Sequence, residues 1–341
     1  MQPVYVIAEC AQGYASRSVD ESIFLALLLT RCAKSSGADA VKFQLVIASE
    51  LASTDYKYYD LFKSLELGSR GWRQVSDLAN ELNIDLIFDI FGSESLRMAE
   101  HLGSSAVKIH PTDFSNRGLI SEVANSTINN VIAGCGGATY AEIRLTLDEL
   151  QISKSLTLLH GFQGYPTSRV DNCLSRLQFL RSFIDQSAGS LTLGFADHAD
   201  PLSPDSTHLA VASLGYGVSV IEKHLTLAKC LQLEDYESAM APDEFRDFVF
   251  ILRSCEEAHA PDLVSLNTFD LPDSEKEYRR AVERHVVSKY DLEAGHMITS
   301  DDLCLKRTAA THPITNPLSV IGKTTICSLK VDTPFTHEIL Q

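Results

Sequence analysis

Gly194-Phe195-Ala196-Asp197-His198 and Val220-Ile221-Glu222-Lys223-His224 decide how this chain is read. Each closes a short apolar run with a histidine. Working back toward the amino terminus, the same kind of run recurs at Val4–Ala8, Ala40–Gln44, Leu86–Phe91, Ala106–His110, Asn130–Ala133 and Leu156–His160, before Leu191–Phe195 and Val218–Glu222. The runs are nearly continuous in Val, Ile, Leu and Phe, as strands buried on both faces must be. Helix-like stretches separate them: Asp20–Ser36, Trp72–Leu82, Ser93–Leu102, Tyr140–Leu150, Leu174–Ile184, Asp205–Leu214 and Asp243–Cys255. Gly37, Gly103 and Gly215 stand where carboxyl-terminal caps belong. Strand–helix alternation of this length predicts a (β/α)8 TIM barrel over residues 1–257. No Gly-x-Gly-x-x-Gly follows the first run, which disfavours a dinucleotide fold.

After residue 257 the pattern changes. Residues 258–278 are acidic, contain Pro261 and Pro272, and read as a linker. From 279 to 341 the segments are short, with a turn at Glu293-Ala294-Gly295, and predict a small β-rich domain.

Composition narrows the function. The chain has 341 residues, 45% of them hydrophobic, and a formal net charge of −16. That charge argues against a nucleic-acid partner, which needs a basic face. An anionic substrate must therefore meet a local cationic cluster. No apolar stretch is long enough to span a bilayer, and the start shows no signal peptide. The eight cysteines are scattered without a Cys-x-x-Cys pair. They point to idle thiols in a reducing cytoplasm rather than to zinc or a disulfide framework.

In a barrel, the chemistry sits at the carboxyl ends of the strands. Those ends offer Glu9, Lys42 with Gln44, Asp89, Lys108 with His110, Cys135, His160, Asp197 with His198, and Glu222 with His224. Two imidazoles at neighbouring strand ends can share a divalent metal. The alternative is two unrelated histidines, one satisfied in a loop and one closing a strand. Two lysines beside a metal suit a small anion, while Glu9 and Glu222 are candidate bases. The lysines could equally be structural partners of Glu9, Asp89 or Asp197.

These residues resemble a known family. Ile7-Ala8-Glu9, the block Gly37–Gln44, Leu61–Leu67, Lys108-Ile109, Asp197-His198 and Ile221–His224 are similar to the sialic acid synthases, in order along nearly the whole chain. Asp291–Gly295 through Lys306-Arg307 resembles the antifreeze-like (SAF) domain of that family. The resemblance implies condensation of phosphoenolpyruvate with an N-acyl amino sugar, using Mn2+ or Mg2+ and releasing phosphate. It implies that His198 and His224 hold the metal and that Lys42 and Lys108 hold phosphoenolpyruvate. Glu9 and Glu222 would act at the reacting centre, and Gln44, Tyr165 and Asp235 would contact the sugar. Arg307 would reach into the barrel of a partner in a domain-swapped homodimer.

The chain also departs from the family pattern. Gln12–Ser16 replaces Asn-His-Asn-Gly, and Phe88-Asp89-Ile90-Phe91 replaces Ser-Thr-Pro-Phe. His110-Pro111-Thr112 replaces a Ser-Gly run, while Ala133 and Ala196 replace serines. A carboxylate at position 89 beside a phosphate dianion costs several kcal/mol at an effective dielectric of about 20. The phosphate pocket thus reads as rebuilt, with Asp89 and His110 as new substrate-side groups. Two other functions fit the same residues. One is a lyase or aldolase acting on pyruvate or another 2-oxo acid without phosphate. The other is a sugar-binding pseudoenzyme.

Overall fold

The computed structural model describes residues 3–150, 154–162, 164–185, 190–258 and 271–341. The chain divides into two compact units, Met1–Ala260 and Pro261–Gln341.

The first unit is a closed barrel of eight parallel strands in sequence order. They are β1 (Tyr5–Ala11), β2 (Ala40–Gln44), β3 (Asp85–Ile90), β4 (Ala106–Ile109), β5 (Asn130–Gly134), β6 (Ser155–His160), β7 (Leu191–Asp197) and β8 (Val220–His224). The ring closes where β8 pairs with β1, Glu9 opposite His224. The helices are α1 (Val19–Ser35), α2 (Ala48–Leu51), α3 (Tyr59–Ser64), α4 (Gly68–Leu82), α5 (Ser93–Leu102), α6 (Arg117–Asn125), α7 (Tyr140–Leu150), α8 (Ser175–Asp185), α9 (Asp205–Leu214) and α10 (Pro242–Ala258). The predicted barrel is therefore observed. The helix α6 and the short helices α2 and α3 were not anticipated.

Local chemistry sets the helix ends. Ser18 Oγ accepts from Glu21 N at the start of α1, satisfying one orphan amide. Gly103 ends α5 in the left-handed region at φ +71°, as its position predicted. Gly215 does not behave this way. It stays right-handed after α9, and the left-handed residue is Gly217 at φ +77°.

Period-two alternation sorts each strand into two faces. Outward residues such as Phe43, Phe88 and Phe195 pack under the helices in the main core. Tyr14, Phe43 and Phe88 surround Trp72 of α4, with ring centroids 5.0–6.0 Å apart. Tyr14 is fully buried, and its hydroxyl donates to Gln44 O at 3.0 Å and Leu65 O at 3.3 Å. Truncating Trp72 to alanine would cost about 3–5 kcal/mol.

Inward residues form a separate apolar ring with one member from every strand: Ile7, Ala40, Ile87, Ala106, Ile132, Leu159, Ala196 and Val220. This ring plugs the barrel. It divides the amino-terminal mouth from the carboxyl-terminal one and gives the upper layer a low-dielectric floor.

The second unit contains α11 (Asp273–Val282) and an antiparallel pair, β9 (His285–Ser288) with β10 (Leu303–Lys306). Isolated bridges such as Leu292–Leu329 and Met297–Thr324 extend the pairing. Val286, Leu292, Ile298, Ile314, Val320, Leu329 and Phe335 make its core. The expected linker at 258–278 partly lies outside the described residues, which omit 259–270. Its end is not irregular, because α11 starts at Asp273 and crosses the boundary expected at 279. Among the described residues, no helix is long and apolar enough to cross a membrane.

Candidate active site

Two residues beyond the apolar ring, each strand presents its next inward position. These are Glu9 on β1, Lys42 on β2, Asp89 on β3, Lys108 on β4, Gly134 on β5, Gly161 just after β6, His198 just after β7 and Glu222 on β8. Five of the eight are charged side chains, all almost fully buried. One step higher stand Gln44, His110 and His224.

The five charges contact one another directly. Lys42 Nζ pairs with Glu9 Oε2, lies 2.9 Å from Asp89 Oδ2 and lies 3.4 Å from Glu222 Oε2. Lys108 Nζ donates to Glu222 Oε1 at 2.8 Å and stands 3.9 Å from Asp89 Oδ2. Glu9 is further fixed by Ala11 N, which donates to its Oε1 at 2.6 Å across an irregularity in the β1–β2 register. Burial alone would raise the Glu222 carboxyl, but Lys108 and Lys42 outweigh it and hold the group at about 2. Burial likewise opposes charge on Lys108, yet Asp89 and Glu222 hold it above its ordinary range. Lys42 is pulled below its ordinary value by burial, against the attraction of Asp89 and Glu222.

His198 and His224 sit side by side, ring centroids 4.9 Å apart. Tyr165 stands edge-on to both, at 5.4 and 5.7 Å. Thr167 N donates to His198 O at 2.9 Å, tying the loop that carries Tyr165 to the end of β7. Burial holds His198 at about 3 and His224 well below the usual imidazole range, so both rings are neutral at pH 7. His198 Nδ1 is buried without a hydrogen-bond partner among the described residues. Asp235 Oδ2 lies 3.7 Å from His224 Nδ1. Burial, with help from Glu234 and Glu237, raises Asp235 to about 7.

Neutral paired imidazoles with an unfilled ring nitrogen are what a divalent ion requires of histidine. No group of three or more His, Cys, Asp or Glu side chains converges as a metal site among the described residues. The donor set therefore fits an ion whose remaining positions are taken by water or substrate.

Most of the expected site residues thus converge, but not all. Gln44 lines the rim, where Gln12 Nε2 donates to its Oε1 at 2.6 Å. Gln12 was not anticipated, although it follows β1 directly. His110 Nδ1 lies 2.7 Å from Thr112 Oγ1. Asp197 is turned away. It falls on the outward face with Phe195 and pairs at 3.0 Å with Lys223, both fully buried. Cys135 and His160 also face outward, where His160 Nε2 lies 3.0 Å from Asn172 O. Arg307 belongs to the second unit, where its Nε donates to Val282 O at 3.3 Å.

A cavity of about 520 Å³ opens at the opposite mouth, lined by Tyr5, Asp85, Asn130, Thr157 and Thr192 among others. It offers one carboxyl group and no cation, and its polar groups satisfy each other. Tyr5 Oη and Ser105 Oγ donate to Asp85, and the hydroxyls of Thr157 and Thr192 pair at 2.8 Å. It does not compete with the charged layer as a reaction site.

The fold defines a TIM-barrel protein with a buried charged layer at the carboxyl ends of its strands. The family model described as "NeuB family" matches residues 29–261, and the chain belongs to that family, the sialic acid synthase-like proteins. It is 26% identical to the N,N'-diacetyllegionaminic acid synthase of Legionella pneumophila, over 99% of this chain and 94% of that one. It is 29% identical to an uncharacterized protein of Methanocaldococcus jannaschii, over 90% and 85% of the two chains. Its structure is similar to the N-acetylneuraminic acid synthetase of Leptospira borgpetersenii in complex with citrate. That match has a TM-score of 0.71 and 25% identity, and covers 82% of this chain and 92% of that one.

Proposed function

We propose that this protein is a sialic acid synthase-like transferase. It joins an enolpyruvyl donor, phosphoenolpyruvate or a related enol or 2-oxo acid, to an N-acyl amino sugar and yields a nonulosonic acid. The observation that carries this reading is the layer of Glu9, Lys42, Asp89, Lys108 and Glu222 beside two neutral imidazoles, in a chain of the NeuB family.

Lys42 and Lys108 supply the positive charge that holds the donor's anionic groups in a low-dielectric floor. Glu222 is kept ionised and oriented by Lys108, so it accepts a proton from water or a hydroxyl rather than giving one. Glu9 faces the same centre from β1 and is aimed by Ala11 N. His198 and His224 would hold a divalent ion, Mn2+ or Mg2+, which supplies Lewis-acid polarisation of the sugar aldehyde when bound. Gln44, Tyr165 and Asp235 line the outer rim, where the sugar would lie. Burial and Asp235 keep the Tyr165 phenol protonated, so it serves as a hydrogen-bond donor.

The carboxyl-terminal unit is read as an antifreeze-like domain and the protein as a homodimer, in which Arg307 serves the partner's barrel. The similarity in sequence supports both. A cytoplasmic setting agrees with eight cysteines that form no disulfide. A second reading, an aldolase using a 2-oxo acid without phosphate, draws on Asp89 in the anion seat.

The test is product formation with Mn2+, each donor and a panel of N-acyl amino sugars, read by mass spectrometry together with phosphate release. A nonulosonic-acid mass that disappears in His198→Ala and Glu222→Gln supports the reading. A folded, Mn2+-loaded protein that forms no such product with any pair refutes it.

A further inference from the structure

The charged layer holds more carboxyl groups than ammonium groups. Glu9, Asp89 and Glu222 face Lys42 and Lys108, and among the described residues every ion pair of the two lysines is with one of these three. Asp89 and Glu222 each contact both lysines: Asp89 Oδ2 lies 2.9 Å from Lys42 and 3.9 Å from Lys108, and Glu222 lies 3.4 Å and 2.8 Å from them. An anion seated on the two lysines therefore lies against these carboxylates, Asp89 among them.

The other oxygen of this side chain shows on what terms. Asp89 Oδ1 is buried and accepts no hydrogen bond among the described residues. The side chain is only 4% exposed. A buried acceptor left unpaired is costly, and in a native protein it calls for a partner. A carboxylate can only accept. The partner must bring a hydrogen. A fully ionised phosphate or sulfate brings none and would face Asp89 acceptor to acceptor.

We infer that Asp89 makes this seat selective for an anion whose oxygen still carries a hydrogen. Two donors share that chemistry: the P–OH of a phosphoenol monoanion, and the hydroxyl of an unphosphorylated enol beside its carboxylate. The inference rests on the anion seat proposed above and deepens it. The charged and titratable groups that face Asp89 are Glu9 from β1, Lys42 from β2, Lys108 from β4 and Glu222 from β8. Gln44 lies opposite it in the β2–β3 register, and His110 follows Lys108 toward the rim.

The direct experiment needs no turnover. Equilibrium binding of inorganic phosphate and of sulfate is measured by calorimetry on the whole Mn2+-loaded protein, wild type and Asp89→Asn, at mildly acidic pH. Hydrogen phosphate can donate to Asp89 and sulfate cannot. Wild type should prefer phosphate by at least about tenfold, the scale of one charge-assisted hydrogen bond. The preference should persist as pH rises through the second ionisation of inorganic phosphate, because hydrogen phosphate still carries one hydrogen. Asp89→Asn, which can donate, should bring the two anions to near parity by tightening sulfate. Asp89→Ser serves if the amide variant does not fold, and the wild-type comparison needs no variant. Equal binding of the two anions by wild type, an unchanged ratio in the variants, or no anion bound at all would overturn the inference.

Turnover then separates the two donors. With phosphoenolpyruvate, wild-type kcat/KM should fall above a phosphate pKa of about 6, and the fall should be absent in Asp89→Asn. With pyruvate, product should form without phosphate release and be lost in Asp89→Asn. If neither donor turns over, the proposed function fails while the binding comparison still decides the role of Asp89.

Discussion

Asp197 of β7 and Lys223 of β8 lie opposite each other in the strand register and form an ion pair 3.0 Å long with neither side chain exposed. Each is the chain neighbour of a site histidine, His198 or His224. Removing one member of such a pair leaves an uncompensated buried charge and costs about 3–5 kcal/mol, whereas replacing both by apolar groups is often neutral. Asp197→Asn and Lys223→Met should each lower stability by about that amount, and Asp197→Leu with Lys223→Met by much less. Denaturant unfolding of the three variants checks this. Single variants within about 1 kcal/mol of wild type would contradict it.

The paired histidines predict Mn2+ binding that depends on both. His198→Ala and His224→Ala should each weaken Mn2+ binding, read by electron paramagnetic resonance, by more than the roughly 10–100-fold that losing an outer-shell partner costs. Retention of wild-type affinity in either variant would remove that ring from the metal assignment.

Two glycines near the charged layer sit where backbone approaches backbone. A Cβ on Gly136 would fall 1.8 Å from Gly161 O, and one on Gly161 would fall 2.2 Å from Ala196 O. No side-chain rotation relieves such contacts. Gly136→Ala and Gly161→Ala should each destabilise the barrel by about 3 kcal/mol. Gly161→Ala should also impair the site, because Ala196 is two residues from His198. Thermal unfolding and Mn2+ affinity read the two effects.

His160 gives the barrel a pH dependence of known sign. Burial lowers its pKa in the folded protein, while in the unfolded chain it titrates near 6.5. The unfolded state therefore binds the proton first. This contribution is fully present above about pH 6.5 and is lost as pH falls toward the lower folded value. His198 and His224 are shifted the same way. Unfolding free energy should fall on acidification below about pH 6.5, and His160→Gln should remove part of that slope. An unchanged slope would contradict the assignment.

Much of the barrel was legible because its signals are strong. The run Ala40–Gln44 and the helices Ser93–Leu102, Tyr140–Leu150 and Asp205–Leu214 fall where the sequence predicts. Continuous apolar runs and an amphipathic period leave little choice there. The helix α11 escapes the sequence reading because it is short and mostly charged, with an apolar side limited to Tyr278, Ala281 and Val282, and it buries no residue. In the site, Glu9, Lys42, Asp89, Lys108 and Glu222 could be listed as strand-end residues. Whether a strand-end residue points inward depends on counting by two from a known inward neighbour. That count turns His198 and His224 inward and Asp197, Lys223, Cys135 and His160 outward. The listing alone could not separate them. The orphaned Asp89 Oδ1 is likewise a matter of geometry, invisible before the lysines are in place.

A carbon-labelled donor shows whether this layer joins a three-carbon enol to a sugar aldehyde. The whole protein is loaded with Mn2+ and given N-acyl amino sugars with phosphoenolpyruvate or pyruvate carrying 13C at C3, and the label is followed by NMR. The labelled signal should become an aliphatic methylene whose protons couple to the carbinol proton of the newly bonded sugar carbon, and Glu222→Gln should abolish the change. A label that stays in unreacted donor, or leaves as free pyruvate with every sugar, would contradict it.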